Sequence, residues 1–67
     1  MTREEAMEYI AASQVLATLA VAYSNMALNK DFGSITRERY SKKSEQASEK
    51  AVRCLQKAET YSVEALL

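Results

Sequence analysis

Cys54, the carboxylates Glu45 and Glu49, and the cations Arg37, Arg39, Lys42 and Lys43 around Tyr40 are the side chains of this 67-residue chain whose type and spacing could do chemistry. Two carboxylates four positions apart on a helix can hold a metal, but helical di-metal sites also draw on histidine, and the chain has none. Without histidine there is no ordinary general base near neutral pH. There is also no glycine-rich phosphate loop and no nucleophile in a recognisable setting. Cys54 recurs in register with alanines and tyrosines, which marks it as a small apolar side chain of a helix seam rather than a reactive thiol. The expectation is a protein that is not an enzyme and that uses no metal, cofactor or small-molecule substrate.

The cations point to binding instead. Nine Lys and Arg balance nine Asp and Glu, yet residues 37–57 carry seven cations against three glutamates, while residues 1–8 and 58–67 are acidic. Arg37 and Arg39 fall near the expected start of a helix, where the macrodipole favours anions. Breaking that local rule signals a binding site, with Tyr40 and Phe32 at hand for aromatic contacts. Phosphates of a nucleic acid are one ligand for such a cluster. Zero net charge and acidic termini favour the other, a protein target.

The elements that must carry these residues are two long helices. From Tyr9 to Asn29 there is no charge, no Gly and no Pro, and six of the 21 residues are alanine, the best helix former. Thr2 with Glu5 makes a capping box, and Glu4, Glu5 and Glu8 suit a helix N-terminus. The first helix is therefore expected over about 3–29. That run is long enough to span a bilayer, but Ser13, Gln14, Thr18, Ser24 and Asn25 interrupt it and its leading flank is acidic, which argues against a membrane. The opening Met-Thr-Arg-Glu-Glu lacks the basic region and bulky apolar block of a secretory signal. One cysteine allows no internal disulfide, so a reducing cytoplasm is expected.

Asn29 to Ser34 gathers turn formers around the single glycine, giving a loop at about 30–35. Thr36 is the expected N-cap of a second helix over about 36–66, with Ile35 folding onto Tyr40 as a hydrophobic staple. Two long helices with a short connection make an all-α, antiparallel two-helix hairpin, a single domain over residues 1–67.

Spacing along the helices suggests how they meet. Tyr40, Ala47, Cys54 and Tyr61 recur every seven residues on the second helix, beside Ser44, Ala51, Ala58 and Ala65. The first helix offers Ala6, Ser13, Ala20 and Ala27, with Ile10, Ala17 and Ser24 next to them, and these small stripes are expected to face one another. A larger stripe, Tyr9, Ala12, Leu16, Leu19, Tyr23 and Met26, is left without a mate in the chain, and Val52, Leu55, Val63 and Leu66 extend the uncovered surface. Apolar patches of that size are rare on soluble monomers, and a chain this short buries little. A homodimer closing a four-helix bundle through the Tyr9 to Met26 stripe is the expected remedy. Arg37, Arg39, Tyr40, Lys42, Lys43, Val52, Val63 and Leu66 are the residues expected to meet a target.

In size and inferred shape the chain resembles small helical-hairpin proteins such as phage-encoded inhibitors of host regulators, or co-chaperones of secretion-needle subunits. The resemblance is architectural and rests on no motif. It implies a protein-binding regulator, inhibitor or chaperone-like adaptor.

Overall fold

The computed structural model describes residues 1–66, with side chains described as far as Tyr61. Two helices account for nearly all of it: α1 over Arg3–Ala27 and α2 over Ser34–Leu66, packed along their length. Among the described residues there is no strand.

α1 begins as its sequence dictates. Glu5 N–H donates to Thr2 Oγ1 at 3.2 Å, with Thr2 in an extended conformation, so the N-cap hydroxyl satisfies one of the first amides of the helix. α1 stops at Ala27, two residues earlier than expected. Leu28 N–H reaches the carbonyls of Ser24 and Asn25, and Asn29 N–H that of Met26, which closes the last turn. Asn29 Oδ1 then accepts from Asp31 N–H at 2.9 Å, and Phe32 N–H donates to Asn29 O. This Asx turn reverses the chain with no residue at positive φ.

The start of α2 differs from the sequence expectation. Arg37 N–H donates to Gly33 O at 3.0 Å, so Gly33 occupies the capping position and Ser34, Ile35 and Thr36 form the first turn. Thr36 is therefore not the N-cap. Ile35 is 70% exposed, and the Ile35–Tyr40 staple does not form. Phe32 takes that place, with its ring centroid 5.6 Å from Tyr40. A bulkier apolar ring from the turn covers Tyr40 better than a residue already wound into the helix.

The core is a single file of small side chains. Ala6, Ser13 and Ala20 of α1 are buried, as are Ala47, Ala51 and Ala58 of α2, while Ala27, Ser44, Cys54 and Tyr61 are half-buried. Ser44 Oγ donates across the seam to Ala20 O at 2.8 Å, which places a side chain of one helix against the backbone of the other. Ser13 Oγ, buried in the same seam, donates to Ile10 O of its own helix. Ile10, Ala17 and Ser24, expected beside the seam, are exposed instead. A contact one small residue wide covers little beyond the residues on its axis.

The result is long and thin, 51 × 13 × 12 Å with a radius of gyration of 15.3 Å, against about 11 Å for a compact domain of this length. Its accessible surface is 5287 Å², whereas about 4,200 Å² is usual for a monomer of this mass. The difference follows from the elongated shape.

Two predictions follow from the packing. Ala20→Leu or Ala51→Leu should lower stability by about 1–3 kcal/mol through overpacking, while Ala11→Leu, on exposed α1 surface, should leave the thermal midpoint nearly unchanged. Equal midpoints for all three would contradict a close seam. At the loop, no atom lies within 4 Å of a Cβ placed on Gly33, so Gly33→Asp should raise stability by about 0.5–1 kcal/mol, supplying a cap oxygen and a charge suited to the helix N-terminus.

Candidate functional site: two unlike faces of the hairpin

Because the seam is narrow, the hairpin presents two long faces. One is apolar. Ile10, Ala17 and Val21 of α1 and Ser48, Val52 and Leu55 of α2 wall an open groove of about 490 Å³ whose floor is Ser13, Ala20 and Ala51. Val52 is 51% exposed and Leu55 45%. Val52 thus lies in a continuous apolar surface. Val63 and Leu66 fall outside the residues whose side chains are described.

The opposite face carries the stripe from Tyr9 to Met26, and the expectation that this stripe lacks a mate within the chain does not hold for half of it. Tyr9, Leu16 and Tyr23 are half-buried against α2, while Ala12, Leu19 and Met26 stay exposed. Lys57 Nζ sits 5.2 Å from the centroid of Tyr9. Tyr23 stacks on Tyr40 at 6.0 Å and 23°, and Lys43 Nζ lies over both rings, 5.7 Å from Tyr23 and 5.6 Å from Tyr40. Such cation–ring contacts contribute about 0.5–1 kcal/mol each at exposed sites. Between these ends, Leu16, Leu19, Gln46 and Lys50 border a smaller hollow of about 230 Å³.

The basic residues at the loop end do not form one patch. Arg39, Lys42 and Lys43 share an arc of about 100° on α2, but Arg37 points the other way, into the seam. It is half-buried, and its Nε is shielded from solvent with no hydrogen-bond partner among the described residues. Lys42 is engaged with Glu38 at 3.9 Å. Tyr40 is half-buried among Tyr23, Phe32 and Lys43, so it anchors the loop end rather than standing free for a ligand. With α2 starting at Ser34, Arg39 also lies beyond the first turn, which weakens the dipole argument for it.

Among the described residues, no three His, Cys, Asp or Glu side chains cluster closely enough to hold a metal ion. Cys54 is a half-buried free thiol in the seam. Ile10, Ala17 and Val21 are the residues that the sequence reading did not place in a surface. The signal was present: each lies one helical step to the side of the seam residues Ala6, Ser13 and Ala20, on the flank away from the tyrosines.

No protein-family model, no curated protein and no solved structure matches this chain.

The aromatic end is testable by itself. Tyr40→Ala removes the ring that joins Tyr23, Phe32 and Lys43, and should cost about 2–4 kcal/mol. Lys43→Ala should cost about 1 kcal/mol, since its two ring contacts are exposed and share one ammonium. A Lys43 variant as damaging as the tyrosine variant, by urea denaturation, would show that the rings alone do not hold the loop.

Proposed function

We propose that the protein is a non-enzymatic, protein-binding regulator, of the inhibitor or chaperone-like adaptor kind, that works by covering its own apolar faces with helices of another chain. The observation that carries this reading is the apolar groove along Ile10, Val21, Val52 and Leu55, a surface of the sort that receives an amphipathic helix. Two copies of the hairpin make a four-helix bundle, the smallest assembly that covers such a face, and we expect the working form to contain at least that pair. The Tyr9 to Met26 stripe contributes through Ala12, Leu19 and Met26, the members left exposed.

By length and composition α1 could cross a membrane. The burial of Ala6, Ser13 and Ala20 against α2, with Gln14, Thr18 and Asn25 elsewhere on the same helix, supports a protein environment for it and a cytoplasmic setting for the chain. Nucleic acid is the second reading. The inward turn of Arg37 and the Glu38 carboxylate beside Lys42 weigh against it, because they leave fewer free cations at the loop end.

Binding to duplex and single-stranded nucleic acid, measured at about 50 mM salt and again at higher salt, separates the two. The regulator reading expects negligible binding at both, and expects Val52→Ser with Leu55→Ser to abolish capture of a partner that the Arg37, Arg39, Lys42 and Lys43 to Gln variant still captures. Tight, salt-sensitive nucleic-acid binding that those glutamines remove would overturn it.

A further inference from the structure

The two faces differ in charge. On the tyrosine side of α2, Lys43, Lys50 and Lys57 recur every seven residues, a row spaced by about 10.5 Å. None of the three has a carboxylate three or four positions away on its own helix, and α1 opposite is uncharged from Tyr9 to Asn29. On the groove side of α2 the charges in line with Val52 are acidic: Glu45 and Glu59 each lie seven positions from it, while Arg53 borders it on the outer side beside Glu49. Glu38 continues that row. α1 inverts both signs at the open end of the hairpin, because helical spacing puts Glu5 on the lysine face and Arg3 on the groove face.

The register of these charges is consistent. Glu45 follows Lys43 by two residues and Glu59 follows Lys57 by two, toward the C-terminus; Arg3 precedes Glu5 by two, toward the N-terminus. In an antiparallel hairpin both directions lead to the same end. One axial shift of about 3 Å, two residues at 1.5 Å each, therefore brings all three opposite-charge pairs level at once.

We propose that the hairpin binds a second copy of itself face to back, the groove face of one chain seated on the lysine face of the next and slipped by about 3 Å toward the loop end. This rests on the reading that the open faces are covered by protein. Arg3 then meets Glu5, Glu45 meets Lys43 and Glu59 meets Lys57 of the neighbour, while the groove lies over Leu19 and Met26. Lys50 faces Val52, which its aliphatic stem can cover with the ammonium left in water. A two-fold dimer matches fewer of these charges. Pairing the lysine face with itself sets the basic row on its own copy, or sets Lys43 and Lys50 on the uncharged part of α1 with only Lys57 level with Glu5; pairing the groove face likewise leaves Glu45 unmatched, with only Glu59 level with Arg3. A face-to-back contact is heterologous, so each added copy leaves one groove face and one lysine face free, and association continues unless a ring closes.

The test is sedimentation of the full chain over a range of concentrations, with two charge-reversed variants, Lys43→Glu with Lys57→Glu and Glu45→Lys with Glu59→Lys. The wild-type chain should grow past the dimer and dissociate as salt rises. Each variant alone should associate at least about tenfold more weakly with its helical circular dichroism intact, and an equimolar mixture should recover association, since the reversed rows of the two variants match each other. A dimer that does not grow with concentration, or a mixture that fails to recover, would overturn the face-to-back arrangement while leaving protein binding in place. A chain that stays monomeric throughout would remove this arrangement and the self-association reading together.

Discussion

The close contact between Ala6, Ser13 and Ala20 on α1 and Ala47, Ala51 and Ala58 on α2 governs the rest of the molecule. Side chains this small let two backbones come near enough for Ser44 Oγ to reach the carbonyl of Ala20. The same smallness limits what the contact supplies. A buried methyl contributes about 0.8 kcal/mol, and no large side chain in the described part of the chain is fully buried. The seam fixes the geometry of the hairpin but gives it a thin core, and the larger side chains must find cover at its margins or outside the chain.

The margins are used unequally. On one flank Tyr9, Leu16 and Tyr23 lean on α2, with Lys57 and Lys43 laid over the rings, and the Tyr23–Tyr40–Phe32 stack clamps the loop end. On the other flank there is no aromatic residue and no lysine in the groove wall; Ile10, Val21, Val52 and Leu55 stand open. An apolar face and a face of lysines over tyrosines are therefore two products of one constraint. A helix pair joined along a single file of alanines cannot fold either face inward.

Much of this was legible in the sequence, and the reasons are specific. The seven-residue recurrence of Ala and Ser fixes the inner line of each helix, so the seam residues could be named from spacing. Thr2 and Glu5 announce the start of α1 because a cap acts locally. The start of α2 is not legible because Thr36 and Gly33 are comparable caps by residue type; the Asx turn at Asn29 and the packing of Phe32 on Tyr40 decide it, and both depend on the turn's geometry. The Tyr9 to Met26 stripe was read as one surface, although alternate members face toward and away from α2, a distinction that requires knowing which flank of the seam the partner helix covers. Arg37 was read as a presented cation for the same reason: its place in the seam becomes visible only once the register with α1 is set.

On the proposed reading the hairpin reaches full stability only when its open faces are covered by protein. The most direct test is the urea midpoint of the purified chain as a function of protein concentration, because a folded state that gains contacts by association is stabilised by mass action. The midpoint should rise steadily over roughly a hundredfold in concentration, and should stop rising when Val52 and Leu55 are replaced by serine. A midpoint independent of concentration, from a cooperative transition of a stable monomer, would contradict this reading.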